Sequence, residues 1–265
     1  MTAASLRARL ASAPLELLGR FADASNATLL VRLTDRDPRP VTDLAAELHR
    51  EPTLDDLPAE DLAVYKPRRG EAPLWDFPAG TLHRREVAAY VVSDALGWDV
   101  VPSTVLREDG PVGVGSLQRF VPHDPDVHYF TLREEDDEGL TAQLATMALF
   151  DLVIDNADRK GGHVLVEVRR DGQRRLRGID HGVSFNVVPK LRTVIWDLVG
   201  RPVPMSQRTD LARLADALDA GVGERLRELL SREELEVLGS RVERLTELAE
   251  LPPPSGRHPY PWPLL

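Results

Sequence analysis

Asp158 and Asp180 are the two residues around which chemistry can be built. They lie in the run from Asp151 to Phe185, DLVIDNADRKGGHVLVEVRRDGQRRLRGIDHGVSF. Ahead of Asp158 the chain is apolar and helix-like (LATMALFDLVI). The stretch Ala157-Asp158-Arg159-Lys160-Gly161-Gly162-His163 is too polar and too rich in glycine to continue that helix, so Asp158 is expected on a loop. His163 to Val168 then alternates as a strand, Asp171-Gly172 turns it, and Leu176 to Asp180 returns, a hairpin that carries the second acid back toward the first. Two carboxylates so arranged suit phosphoryl transfer. One orients or accepts the proton of an attacking hydroxyl, and the other holds magnesium on the phosphates.

Such chemistry needs further elements to hold the phosphates, and the first half of the chain supplies candidates. Leu62-Ala63-Val64-Tyr65-Lys66 is a β-prone run ending in a charge. Thr81 to Leu96 is a helix pattern capped by Thr81 and stopped at Gly97, carrying Glu86, with Leu82, Val87, Tyr90, Val91 and Ala95 on its apolar face. Of the 33 Lys and Arg residues only those at 66, 160 and 190 are lysines. Where arginine is the default cation, a lysine marks a position that calls for a compact ammonium rather than a planar guanidinium. Lys66 and Lys160 both fall in these motifs. Ser25-Asn26-Ala27-Thr28, ahead of Leu29-Leu30-Val31, is either a hairpin tip whose backbone amides approach phosphates or an ordinary turn before a strand.

The run NADRKGGHVLV followed by IDHGVSF resembles the catalytic and metal-binding loops of the phosphatidylinositol 3/4-kinase-like superfamily, which includes the HipA-type bacterial protein kinases. From about Leu15 to Leu198 the chain is also similar to a group of actinobacterial phosphatidylinositol 3/4-kinase-related proteins. In the superfamily an Asn stands five residues after the loop Asp, and a later Asp-x-Gly binds metal. The matching positions are Asp158, His163 and Asp180-His181-Gly182, so a histidine stands where the family has asparagine.

The resemblance implies an α+β, two-lobed protein-kinase-like fold, with a small sheet-containing N-lobe and a mostly helical C-lobe. It implies ATP as cofactor, with Mg2+; the imidazole of His163, where the family has asparagine, suits Mn2+ better. Asp158 and Lys160 become the catalytic candidates and Asp180 a metal ligand, while His163 is either a second metal ligand or a hydrogen-bonding brace on the Asp158 loop. Lys66, positioned by Glu86, falls on the phosphates with Ser25, Asn26 and Thr28, and Gln118, Phe120 and Val121 line the base, which backbone groups hold. The implied activity is transfer of the γ-phosphoryl group to a hydroxyl of a polyol, a lipid head group or a protein. His163 keeps a nucleotide-binding pseudokinase that regulates a partner in view, and an AMP transferase is the third reading.

Composition narrows the alternatives. With 265 residues, 42% of them hydrophobic, the chain can build one large domain or two small lobes. A formal charge of -10 argues against a general nucleic-acid binder, which needs basic patches, and against tight binding to an acidic membrane. The absence of cysteine excludes disulfides and thiolate metal sites. No apolar run reaches the ~18 residues of a transmembrane segment, and Arg7, Arg9 and Glu16 interrupt what a signal peptide would keep apolar. A cytoplasmic location is expected.

The expected division is an N-lobe over 1–121, an acidic linker over 122–139, a C-lobe over 140–250 and a tail over 251–265. Residues 4–21 pattern as an amphipathic helix broken near Pro14, and 34–62 as a loop or insertion. Val100 to Val105 and Gly115 to Val121 read as strands around the turn Asp109-Gly110-Pro111. Leu211, Leu214 and Leu218 mark one C-terminal helix. Ser231 with Glu234 opens another, with Leu235, Leu238, Val242 and Leu245 on its apolar face. Both are expected to pack under the helix before Asp158. Lys190 and Arg192 suit an anionic acceptor or simple packing. The last fifteen residues hold six prolines and cannot form a core element; they are either a partner-binding polyproline segment or a clamp on the protein's own surface.

Overall fold

The computed structural model describes residues 2–21, 26–37, 57–256 and 258–265. Most of the loop predicted over 34–62 therefore lies outside the described residues. The chain divides into two compact units, Met1–Val87 with Pro102–Val121, and Ala88–Val101 with Pro122–Leu265.

The first unit opens with helix α1 (Ala3–Ser12), capped by Thr2, whose hydroxyl accepts the Ser5 N–H at 3.1 Å. The helix does not resume after Pro14 as predicted; Leu15–Arg20 is strand β1. Leu15 and Leu17 pair antiparallel with Leu33 and Val31 of β2 (Leu29–Leu33), and burial in that sheet overrides a leucine spacing too short to separate helix from strand. Strands β3 (Leu62–Pro67), β4 (Thr104–Gly110) and β5 (Gly113–Arg119) complete a five-stranded sheet in the order β1-β2-β3-β5-β4. Strand β4 starts later than predicted because Val100 and Val101 are held elsewhere. Both donate their N–H groups to Ser93 Oγ at 3.1 Å.

Alternation along β3 decides what the sheet presents. Ala63 and Tyr65 join Leu10, Leu15 and Leu117 in the core under α1, while Leu62 packs with Leu18 and Leu30 on the other face. A strand's period of two therefore puts Lys66 on the face of Leu62. The end of α1 is tied down by Arg107, a buried residue of β4 whose Nη1 donates to the carbonyls of Leu10 and Ala13 at 2.9 Å, satisfying groups a helix C-terminus leaves open.

Helix α2 (Leu82–Leu96) begins in the first unit and continues into the second. Its start is not capped by Thr81 as predicted, since that hydroxyl donates to the Pro78 carbonyl at 2.7 Å. The Glu71 carboxylate serves the end instead, accepting the His83 N–H at 2.8 Å with His83 Nδ1 2.6 Å away. Burial works against this carboxylate's charge, but the His83 hydrogen bonds prevail and hold its pKa below the usual value.

The second unit contains α3 (Tyr129–Leu132), α4 (Glu138–Ile154), the hairpin β6 (Val164–Val168) and β7 (Arg174–Gly178), and the helices α5 (Met205–Leu218), α6 (Gly221–Arg227) and α7 (Arg232–Thr246). Short α3 lies in the stretch read as linker, with Tyr129 and Leu132 both buried. Helix α4 is capped by Asp137 and buries Leu140, Leu144, Met147, Phe150 and Ile154. The Ser231–Glu234 capping box is present at α7, and Leu238, Val242 and Leu245 are buried there. From α7 the buried Arg241 donates to Val153 O at 3.2 Å, which fastens α7 to the end of α4. Among the described residues no helix is long and apolar enough to cross a membrane.

Candidate functional site

In the first unit Lys66 Nζ meets Glu86 Oε1, joining β3 to the start of α2. Glu86 is almost wholly buried and Lys66 mostly so, which keeps the ammonium aimed rather than sweeping solvent. Gln118 is buried in β5 and its side-chain amide donates to Thr104 Oγ1 at 2.9 Å. Phe120 packs against the Leu18–Leu30–Leu62 cluster and its N–H donates to Leu62 O at 3.1 Å; Val121 is buried. Of the Ser25–Thr28 turn, Ser25 lies outside the described residues. Asn26 Oδ1 accepts the Ala72 N–H at 2.7 Å and Ala27 N–H donates to Gly70 O at 3.0 Å, so this turn is braced by the 70–72 loop. Thr28 accepts the Phe21 N–H at 2.9 Å through its carbonyl.

In the second unit α4 stops at Asp155, which takes a left-handed conformation (φ 49°) that short polar side chains tolerate better than most. The chain then enters the loop of Asp158. Asn156 Oδ1 accepts the Asp158 N–H at 3.0 Å, and Arg159 N–H donates to Arg192 O at 3.0 Å. Lys160 Nζ stands 3.6 Å from Asp158 Oδ2. Burial pushes the Asp158 carboxyl up to about 6; the Lys160 ammonium pulls it back and the Asp180 charge adds to the rise. A carboxylate in that range is well matched to taking a proton near neutral pH.

The hairpin brings Asp180 to His163 by register. Val164 pairs with Gly178, and the Ile179 N–H donates to His163 O at 3.1 Å, so the residue after Ile179 arrives beside the histidine. Asp180 itself has φ 58°, a left-handed backbone for a non-glycine residue of the kind that clusters at functional sites. His163 Nδ1 lies 2.9 Å from the Asp158 carbonyl, which only accepts, so Nδ1 carries the proton; the Lys160 amide, 3.5 Å away, is too distant to compete. His163 Nε2 then faces Asp180 Oδ2 at 3.4 Å. Two such donor atoms are reconciled by a second imidazole proton or by a cation between them. Among the described residues no group of three or more His, Asp and Glu side chains gathers into a metal site. A pair of protein donors nevertheless fits Mg2+ or Mn2+, which complete their coordination with phosphates and water.

Asp151, Asn156 and Arg159, none of them among the candidate site residues, hold this loop in shape. Arg159 is fully buried and spends its whole donor set inside the protein. Nε and Nη2 reach the two oxygens of Asp151, each at 2.9 Å; Nη1 reaches the carbonyls of His163 at 3.1 Å and Ile179 at 3.0 Å; and Nη2 lies 2.7 Å from His181 Nε2. Asn156 Nδ2 adds a bond to Asp151 Oδ1 at 2.9 Å. One signal was available: Asp151 is the single charge inside the apolar run LATMALFDLVI, and a buried acid needs a cation.

A strand lysine paired with a helix glutamate in a small antiparallel sheet, and a helical unit carrying a loop acid and a hairpin acid, define a protein-kinase-like architecture. Solved structures agree on the fold. The golgi casein kinase superposes with a TM-score of 0.53 at 14% identity, over 91% of this chain and 74% of that one; its Mn/ADP-bound form gives 0.52 at 14%, over 92% and 74%. The Helicobacter pylori proinflammatory kinase CtkA gives 0.53 at 12%, over 91% and 94%. Sequence then narrows the class. The family model described as phosphatidylinositol 3- and 4-kinase matches residues 83–232. Protein Rv2133c of Mycobacterium tuberculosis (strain ATCC 25618 / H37Rv) is 38% identical over 285 residues, 96% of this chain and 93% of that protein. The chain belongs to the phosphatidylinositol 3- and 4-kinase family, whose members are kinase-type phosphotransferases.

The buried Arg159–Asp151 pair makes a stability prediction. Removing one partner strands a buried charge, so Arg159→Met is expected to lose about 3–5 kcal/mol in guanidinium unfolding. The double variant Asp151→Leu/Arg159→Met is expected to recover part of that loss, because no uncompensated charge remains. A single variant as stable as the parent would refute the role given to the pair.

Proposed function

We propose that the chain is an ATP-dependent kinase that transfers the γ-phosphoryl group to the hydroxyl of an acceptor, a polyol, a lipid head group or a protein. The observation that carries this reading is the grouping around one short turn, Asp158 beside Lys160 on one side and Asp180 beside His163 on the other. Family membership supports the reaction class, and the golgi casein kinase of like fold, solved with Mn/ADP, supports nucleotide and divalent-metal use.

In this reading the Asp158 carboxylate accepts the proton of the acceptor hydroxyl as its oxygen bonds to the γ-phosphorus. The bond from that phosphorus to the bridging oxygen breaks, and ADP leaves with the electron pair. Lys160 offsets negative charge next to Asp158. Asp180 and His163 would hold a divalent ion, whose contribution is to neutralise charge on the phosphates. Lys66, aimed by Glu86, contacts the α- and β-phosphates as a point charge. The backbone at Gln118, Phe120 and Val121 lines the base, and Asn26 and Thr28 lie toward the phosphates. The turn's internal bracing favours a supporting part for Asn26.

The decisive experiment incubates the protein with Mg2+ and ATP labelled separately at the α and γ positions. Transfer of γ-label to an acceptor supports the kinase; α-label on protein means AMP transfer; ATP bound with neither transferred means a pseudokinase.

Substitutions at four positions check the assignments. Lys66→Met is expected to weaken ATP binding in calorimetry, and Lys66→Arg not to rescue it, because a forked guanidinium does not reproduce a point contact; unchanged affinity would remove Lys66 from the site. Asp158→Asn is expected to keep nucleotide binding while losing turnover by a factor on the order of 10² or more. Asp180→Ala is expected instead to weaken Mg2+-dependent nucleotide binding, and equal binding losses in both would show that the roles are not divided. His163 is a nitrogen donor, which suits manganese better than oxygen-seeking magnesium. His163→Asn is expected to shift the metal preference of ADP binding from Mn2+ toward Mg2+, and an unchanged preference would leave His163 as a brace on the Asp158 carbonyl alone.

A further inference from the structure

The proline-rich tail lies against the loop that carries the candidate catalytic residues. The Pro259 carbonyl accepts the Thr193 N–H at 3.0 Å and Trp196 Nε1–H at 3.1 Å. Five residues on, the Leu264 carbonyl accepts the Gly161 N–H at 2.7 Å. The first contact is on the segment that follows Asp180, the second on the turn between Lys160 and His163. These two stretches already run side by side, with Arg159 bridging Thr193 in parallel fashion, so the tail fastens both edges of that pairing.

Packing repeats what the hydrogen bonds indicate. Gly161 is buried, and a Cβ there would stand 2.7 Å from the Phe130 ring and 3.2 Å from Leu265 Cδ1, so the turn is held between α3 and the tail. The tail's hydrogen bonds come from its backbone carbonyls, and its largest side chains stay outside, with Trp262 87% and Tyr260 52% exposed. Prolines at 259, 261 and 263 fix φ and lower the entropy lost when so short a segment is laid down. A chain built only to dock a partner would have no need to close the hydrogen bond of a buried glycine.

We propose that Pro259–Leu265 is a strap that positions the Asp158–His163 turn, giving Gly161 its acceptor and so keeping Lys160 and His163 in place beside the two acids. It is a positioning element, and its effect on turnover rests on the kinase reading above.

The test compares the full chain with a chain ending at Pro254, with and without a synthetic peptide of residues 255–265. Shortening is expected to speed hydrogen exchange at the Gly161 amide, to leave ATP affinity in calorimetry unchanged, and to cut γ-label turnover by about tenfold or more, as loss of positioning does. The peptide added in trans is expected to restore both exchange protection and turnover. Unchanged exchange at Gly161 would overturn the proposal, as would turnover that stays level or rises, the latter being the mark of an inhibitory tail. Should the shortened chain not fold, the full-length P259G/P261G/P263G variant tests the same point by loosening the strap, with the same expected directions and the same overturning results. If the full chain transfers no γ-label, the kinase reading fails, and exchange at Gly161 alone decides whether the tail holds the turn.

Discussion

Arg159 places every N–H of its guanidinium inside the protein, and the geometry of the loop acids depends on that. Two go to Asp151 on α4, two to the carbonyls of His163 and Ile179, and one to the ring of His181. A cation with no exposed surface is tolerable only when its lost hydration is replaced in full. Only arginine has the planar fork to do so toward a helix, a loop and a hairpin at once; lysine would reach one of them. Because the two carbonyls flank the start and end of the hairpin, the same group that anchors the loop also sets where Asp180 emerges.

The His163–Asp180 pair follows from this arrangement. With His163 O and Ile179 O both drawn to Arg159, and the Ile179 N–H bonded back to His163 O, the hairpin cannot slip without breaking these hydrogen bonds. His163 Nδ1 is engaged by the Asp158 carbonyl, which turns Nε2 toward Asp180. A ring nitrogen fixed by a backbone carbonyl while the other is presented outward is the usual way a protein orients a histidine ligand. The surroundings of His163 therefore hold its ring in one orientation.

The first unit meets a different requirement, holding one flexible cation still. Lys66 projects from the sheet face opposite α1 and meets Glu86, while Glu71 secures the start of the helix that carries Glu86. Next to Glu86, Arg85 is buried with its guanidinium 5.1 Å from the Phe77 ring, which uses loop 70–80 to close over the helix start. The aromatic residues of that loop thus divide in role: Phe77 packs inward and Trp75 is exposed.

Local chemistry made much of this legible from the chain alone. The Lys66–Glu86 pair was implied by the family resemblance, whereas an apolar run broken by a polar, glycine-rich heptapeptide located the loop of Asp158, and alternation around Asp171-Gly172 located the hairpin. The loop and the hairpin are written in neighbouring residues, because turns, caps and periodicity act over a few positions. Leu15–Arg20 could not be recognised as a strand, since six residues of leucine spacing satisfy either period until β2 is beside them. Nor could the partner of Asp151, the acceptor for Gly161 or the cap at α2 be read off, because Arg159, Leu264 and Glu71 are chosen by distance in space. Buried polar groups must be satisfied, but which residue satisfies them is set only when the chain has folded.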